Sequence, residues 1–156
     1  MNSEKCYYQS PVGWLEIGAT DDKITQLVFC QTPAGVVGSA NNPVLQQGCA
    51  ELDEYFAGKR KNFEVAIAFS GTPFQYRVWQ ELLKIPYGKT ISYAELSCAS
   101  GSPKAHRAAG SANGKNPIAI IIPCHRVISS NGGLGGYAYG LEAKKQLLEL
   151  EKRMQL

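Results

Sequence analysis

The 156-residue chain has only two histidines, His106 and His125, and its five cysteines include no Cys-x-x-Cys pair. Structural and catalytic zinc sites draw on cysteine and histidine at short fixed spacings, so no metal centre is expected. The cysteines, Cys6, Cys30, Cys49, Cys98 and Cys124, are odd in number and irregularly spaced. That pattern argues for free thiols in a reducing compartment rather than a disulfide framework. Long apolar runs are also missing. The longest strongly apolar stretch, residues 118–122, falls far short of the ~20 residues that cross a bilayer. The opening MNSEKCYYQS has neither a basic start nor an apolar core, so no secretory leader is read. The expected location is the cytoplasm, or the nucleus in a eukaryote, with no membrane partner.

What remains is an ordinary globular mixture, 44% hydrophobic and 19% charged, sized for one domain or two small ones. Charge is unevenly placed. Residues 1–70 hold five Lys/Arg against eight Asp/Glu, whereas residues 71–156 hold eleven against five. The net −3 and +6 that result make the second half a candidate for a polyanionic partner, nucleic acid being the commonest. A solvated charged face fits the same numbers.

Periodicity divides the chain in the same place. Segments 5–9, 14–20 and 23–30 are rich in aromatic and β-branched residues and are separated by Val12-Gly13 and Asp21-Asp22, so three strands are expected. After a loop over 31–41, Asn42-Pro43 gives a helix N-cap followed by proline at the first helical position. Leu45, Cys49, Leu52 and Phe56 supply the helical stripe and Gly58 the stop. Residues 62–69 read as a fourth strand. The expectation is an α/β N-terminal domain over residues 1–70.

Ser70-Gly71-Thr72-Pro73 marks the boundary, and residues 71–156 form a mostly α domain. Thr72 with Gln75, and Ser92 with Glu95, make two capping boxes. The first opens a helix with Phe74, Val78 and Leu82 on one face; the second opens a short helix that stops at Gly101. Ser102-Pro103 then starts a helix lined by Ala105, Ala108, Ala109, Gly110 and Ala112. Two short helices around a glycine turn read as a helix-turn-helix, and the small residues let the second backbone approach a nucleic-acid groove or a packed neighbour. The last helix, with Leu141, Lys144, Lys145, Leu148 and Glu149, reads as an amphipathic packing helix.

Two glycine patterns are set aside. Residues 110–116 resemble a phosphate loop but are one residue short and lack the hydroxyl residue after lysine; residues 133–138 fit a loose dinucleotide fingerprint outside any βαβ repeat. Both are read as turns, and no cofactor is expected.

The chemistry concentrates after the apolar run, in Pro123-Cys124-His125-Arg126-Val127. A nucleophilic cysteine must reach its thiolate, and neighbouring basic or cationic groups assist that. On an extended chain Cys124 and His125 point to opposite sides, so the histidine can act only if the backbone turns there. A buried Cys-His dipeptide of purely structural role fits the same residues.

This pentapeptide, preceded by three isoleucines, closely resembles the active-site motif of O6-alkylguanine-DNA alkyltransferases, the methylated-DNA–protein-cysteine methyltransferases. The resemblance extends through Ile91-Ser92-Tyr93, Ser102-Pro103-Lys104-Ala105, Arg107-Ala108, Asn116-Pro117, Gly136-Tyr137 and the stretch from Lys144 to Glu151. It covers about residues 72–152; the N-terminal part matches in layout, where the family fold is ribonuclease-H-like.

The resemblance implies a single-turnover enzyme that moves an alkyl group from O6-alkylguanine, with O4-methylthymine a further substrate, in double-stranded DNA onto Cys124. His125 would act as base through a water, and Glu151 would orient His125. Tyr93 would donate to the flipped base and Asn116 would hold the turn before the active-site segment. Arg107 would fill the space left by the flipped nucleotide, with Ala105 and its small neighbours in the minor groove and Gln75, Ala94, Ser102 and Ser130 on the DNA backbone. Tyr137, Ala138 and Tyr139 would line the substrate pocket of a protein acting as a monomer. Tyr139 stands where members accepting bulky adducts have small residues, which implies a narrower mouth. His106 is another departure and reads as a solvent-facing helix residue. Three rivals are a lesion binder without transfer, a multiple-turnover cysteine hydrolase and a sequence-reading regulator. Cys124 argues against the first, the basic half and Arg107 against the second, and the alanine-lined helix against the third.

Overall fold

A computed structural model describes residues 3–38 and 41–154, and the chain divides into two compact units. The first takes residues up to Phe69 together with Pro117–Ala119; the second takes Ser70–Asn116 and the chain from Ile120 onward. Residues 117–119, expected in the second part, thus belong with the first.

The first unit is an antiparallel meander, β1 (Ser3–Ser10), β2 (Gly13–Thr20) and β3 (Lys23–Cys30), in the order β1-β2-β3. Its first turn is held by Ser10, whose hydroxyl donates to the Gly13 carbonyl at 2.6 Å and accepts from Val12 N–H. Its second tight turn uses Asp21 at φ 56°, a left-handed conformation that aspartate tolerates. Alternation along the strands buries Cys6, Leu15, Ile17, Ile24 and Leu27. The helix α1 (Pro43–Phe56) contributes Leu45, Leu52 and Tyr55 to the buried set. Each such aliphatic side chain stabilises the unit by roughly 1.5–3 kcal/mol relative to exposure. Asn42 caps α1 by accepting from the N–H groups of Val44 and Leu45. On the outer side of β3, Leu27 N–H donates to the Pro117 carbonyl and Ala119 N–H to the Leu27 carbonyl.

Residues 62–69 do not form the expected strand. Only Ile67 bridges to Ile24, through Ile24 N–H to Ala66 O and Ala68 N–H to Ile24 O. The N–H groups of Glu64 and Val65 turn instead to the carboxylate of buried Glu51, at 2.8 and 3.1 Å. A side-chain acceptor replaces the ladder, and the alternating sequence gave no sign of it.

The second unit contains α2 (Pro73–Leu82), β4 (Ile91–Ser92), α3 (Tyr93–Ala99), α4 (His106–Gly114), β5 (Val127–Ile128) and α5 (Leu141–Arg153). Both expected capping boxes form, Thr72 with Gln75 and Ser92 with Glu95. Val78, Trp79 and Leu82 are buried on α2, and the Trp79 indole donates to the Ala112 carbonyl of α4 at 2.9 Å. β4 and β5 pair in parallel, Ile91 with Val127 and Ser92 with Ile128.

Three expectations are corrected here. α4 begins at His106, not at Ser102-Pro103, and it has no side-chain cap. The Ser102 carbonyl is taken by the Ser97 hydroxyl and by Ala105 N–H, which closes a turn over residues 102–105 before the helix can start. Residues 110–114 are the C-terminal half of α4, as the placing of Gly110 and Ala112 on that helix implied and against the reading of 110–116 as a turn. On α5 the buried residues are Ala143, Lys144, Leu147, Leu150 and Glu151, while Leu141 is 50% exposed. The apolar stripe therefore runs through 143, 147 and 150, and it carries a lysine and a glutamate inward with it. Among the described residues no helix is long and apolar enough to cross a membrane.

Candidate active site

Proline before cysteine sets the local geometry. Pro123, at φ −81° and ψ 66°, is the centre of an inverse γ-turn in which Cys124 N–H donates to the Ile122 carbonyl at 2.8 Å. A single 3-10 turn over Cys124–Arg126 follows, closed by Arg126 N–H to Pro123 O. The backbone thus turns where an extended chain would have sent the imidazole to the far side of the thiol. Two asparagines secure the turn: Asn116 Nδ2 donates to Ile122 O at 2.6 Å and Asn113 Nδ2 to Cys124 O at 3.3 Å.

The thiol of Cys124 is 2% exposed. It lines a cavity of about 220 Å³ together with Gly110, Asn113, Gly114, Gly136, Tyr137, Ala138 and Tyr139. Burial pushes the thiol pKa up; hydrogen bonds with Asn116 and with the Tyr137 hydroxyl (3.9 Å), and the charge of Lys144, act in the opposite direction. The thiolate is therefore disfavoured at rest, and a base is needed to form it.

His125 is fully buried, with Nε2 2.6 Å from Oε2 of Glu151. Burial lowers its pKa against the opposing pull of Glu151, so the ring is neutral. With Nε2–H donated to a carboxylate, Nδ1 carries the lone pair, and among the described residues nothing hydrogen-bonds to it. Burial alone would raise the Glu151 pKa. His125 and Arg126 override it and hold the carboxyl well below the usual carboxylate range. Arg126 grips both oxygens, through Nε at 2.8 Å and Nη2 at 3.0 Å, while its Nη1 donates to the Ile85 carbonyl. One carboxylate thus serves a neutral imidazole and a guanidinium, and its charge is matched inside the unit.

On the cavity's other flank, the Tyr93 hydroxyl donates to Gly136 O at 3.2 Å. Lys144 donates to the same oxygen at 2.9 Å and also to Val127 O and Leu134 O at 2.6 and 2.5 Å. Its three N–H donors are all used, its ammonium lies 5.7 Å from the Tyr93 ring centroid, and burial lowers its pKa to about 8. Gly135, at φ +73°, leaves room for Tyr93: a Cβ there would lie 2.7 Å from Tyr93 Cε2. Among the described residues no group of three or more His, Cys, Asp or Glu could hold a metal ion.

A buried cysteine in a turn behind proline, with a carboxylate-anchored histidine beside it, has counterparts in known proteins. Residues 73–153 match the DNA-binding domain of 6-O-methylguanine DNA methyltransferase, and residues 5–69 match its ribonuclease-like domain. The chain belongs to this methyltransferase family. A methylated-DNA–protein-cysteine methyltransferase of Mycobacterium leprae is 47% identical over 94% of this chain and 91% of its own length. A constitutive one from Bacillus subtilis is 43% identical over 92% of each chain. In structure, the Mycobacterium tuberculosis OGT in complex with DNA aligns with a TM-score of 0.85 at 42% identity, covering 96% of this chain and 94% of that one.

Within this methyltransferase fold the residues named from sequence fall into two groups. Cys124, Tyr137, Ala138 and Tyr139 line the cavity, Asn116 bonds to the thiol and to the Ile122 carbonyl, His125 and Glu151 are bonded to each other, and Tyr93 reaches the lining through Gly136. The others are not part of the cavity lining. Arg107 is exposed in the first turn of α4; Ser102 and Ala105 sit in the turn before it; Ala94 is half-buried on α3. Ser130 is exposed, and the Gln75 side chain accepts from Thr72 N–H in its capping box. His106 is solvent-facing, as its helical position implied. Arg126 and Lys144 were missed as site residues. A lysine flanked by charged residues reads as surface, and the carbonyls that hold it come from three scattered positions.

Proposed function

We propose that this methyltransferase repairs double-stranded DNA by moving the alkyl group of O6-alkylguanine onto Sγ of its own Cys124. The observation that carries the reading is the pairing of a buried cavity thiol with a neutral histidine whose Nδ1 is unsatisfied and whose Nε2 is tied to Glu151. His125 takes the thiol proton through a water, and Glu151 fixes the tautomer that can do so. The thiolate attacks the alkyl carbon, the C–O6 bond breaks, and its electron pair passes to the guanine. Tyr93 donates to that base, making it a better leaving group. The thioether that forms has no leaving group, so each molecule acts once, and no cofactor enters the balance.

A sealed thiol cannot reach O6 within a stacked duplex, so the nucleotide must swing out into the cavity. α3 and α4 act as a helix-turn-helix with Arg107 filling the vacated stack, and Ala94, Ser102, Ala105, Gln75 and Ser130 meet the DNA. The functional division falls near residue 70, the N-terminal unit being ribonuclease-H-like, and the protein works as a cytoplasmic monomer. Support for the DNA partner comes from the basic second half and from the DNA complex of the mycobacterial OGT.

The test is incubation with duplex carrying labelled O6-methylguanine, followed by intact mass and peptide mapping. One methyl per molecule on Cys124, absent in Cys124→Ala, is expected. Lesion binding without transfer overturns the reading.

A further inference from the structure

Outside the site just described, two thiols meet in the first unit. Cys6 on β1 and Cys49 on α1 are hydrogen-bonded to each other, although they stand 43 positions apart in the sequence. A second contact in the same register supports the placement. The Tyr8 hydroxyl donates to Oδ1 of Asp53 at 2.5 Å. Residues 6 and 8 share one face of a strand, and residues 49 and 53 lie one turn apart on one face of a helix. The strand and helix therefore face each other along two successive pairs, and the cysteine pair belongs to that register.

We infer that Cys6 and Cys49 form a dithiol site that oxidises to an intramolecular disulfide, independently of Cys124. Access is asymmetric: Cys6 is fully buried and Cys49 is partly exposed. The hydrogen bond favours the thiolate on Cys6 and disfavours it on Cys49, so the buried sulfur is the one prepared for the closing attack, as exchange requires a thiolate. A low-molecular-weight disulfide is the oxidant. Cys49, the reachable member, passes its proton to Cys6, attacks one of the oxidant's sulfurs and expels a thiolate, which takes that proton from Cys6. Cys6 then attacks the Cys49 sulfur and expels the second. Two protein S–H bonds become one S–S bond, the added disulfide is reduced to two thiols, and both protons end on those thiols. The bond ties β1 to α1 and closes a long loop, which restricts the unfolded chain. Cys98 is also exposed, but no second cysteine is bonded to it among the described residues, so it stops at a mixed disulfide.

The experiment uses the full chain in a Cys98→Ser background, treated with oxidised glutathione under native conditions. Remaining thiols are then alkylated and the digest is mapped by mass spectrometry. The expected product is a linked pair of peptides containing Cys6 and Cys49, with two hydrogens lost and full reversal by dithiothreitol. Cys49→Ser should abolish the link and leave Cys6 unreacted. A glutathione adduct that accumulates on Cys49 without forming the link overturns the inference, and so does a link joining either cysteine to Cys30 or Cys124. The readout is independent of alkyl transfer and survives failure of the repair assignment.

Discussion

The Nε2 of His125 and the Oε2 of Glu151 lie 2.6 Å apart with both side chains sealed from solvent, and the same carboxylate is held from its other side by Arg126. Replacing Glu151 by glutamine removes the charge while keeping the shape. It leaves the buried guanidinium uncompensated and frees the histidine tautomer. Alkyl transfer should slow by about 10²-fold or more, and unfolding free energy should drop by about 3 kcal/mol. Single-turnover transfer and urea denaturation measure the two separately.

Acid should destabilise the protein in two stages. His125 titrates in the folded state below its ordinary 6.5, and Glu151 below its ordinary 4.5. In each case the unfolded chain takes up the proton first, so stability falls as pH drops through those unfolded values. Glu151→Gln should remove the lower stage only. Urea midpoints measured from pH 8 to pH 3 decide this, and a flat profile for the unsubstituted protein would falsify it.

Lys144→Met should leave the carbonyls of Val127, Leu134 and Gly136 without the donor that gathers them. The loss in stability should be about 1–3 kcal/mol, as for buried acceptors deprived of a partner. Transfer should fall on the order of tenfold, a barrier change of about 1.4 kcal/mol. Hydrogen exchange should rise around residues 129–139 and stay unchanged in β1–β3. Unchanged exchange across 129–139 would remove the clamp from the account.

Gly135→Ala should act through Tyr93. The added carbon would meet that ring at 2.7 Å and its hydroxyl at 3.0 Å, on a backbone already at φ +73°. The strain should cost about 1–3 kcal/mol, and a ring displaced by about 1 Å should slow transfer by about 10²-fold. In a Tyr93→Phe background the same change should slow transfer much less, because contacting residues do not add. Full additivity in that double-mutant cycle would show that Gly135 works by another route.

Tyr139 lines the cavity edge-on to Tyr137, ring centroids 5.6 Å apart. Methyl should therefore transfer faster than benzyl by about tenfold or more, as expected when a pocket discriminates by 1–3 kcal/mol. Tyr139→Gly should raise the benzyl rate and leave the methyl rate within about twofold, well under the 1.4 kcal/mol of a tenfold change. Rates measured side by side on oligonucleotides with the two adducts decide it. Equal rates in the unsubstituted protein would sink the idea.

Local chemistry was legible in the sequence, and long-range chemistry was not. Asn42, Thr72 and Ser92 act within three residues of themselves, so their caps could be read directly. Strands β1 to β3 were legible because a two-residue alternation ends on turn residues. Residues 62–69 misled because the N–H groups of Glu64 and Val65 go to Glu51, thirteen positions upstream of Glu64. The start of α4 misled for a similar reason, the Ser97 hydroxyl holding the Ser102 carbonyl. In the site, Cys124, His125 and Glu151 were reached through a motif. Periodicity alone gave an amphipathic α5 without showing that Lys144 lies on its buried face. Arg126 and Lys144 needed acceptors at 85, 127, 134, 136 and 151, and no spacing rule links those positions.

The inward turn of these two cations also bears on how the protein meets a polyelectrolyte. Of the eleven basic residues in the second half, Arg126 and Lys144 are committed to the interior and displace no counterions from phosphate. On the proposed reading, only surface cations that meet phosphate release ions on binding, each such contact adding roughly 0.9 to the slope of log affinity against log salt. Binding should therefore weaken with salt less steeply than the composition suggests. Neutralising Lys144 should leave that slope unchanged.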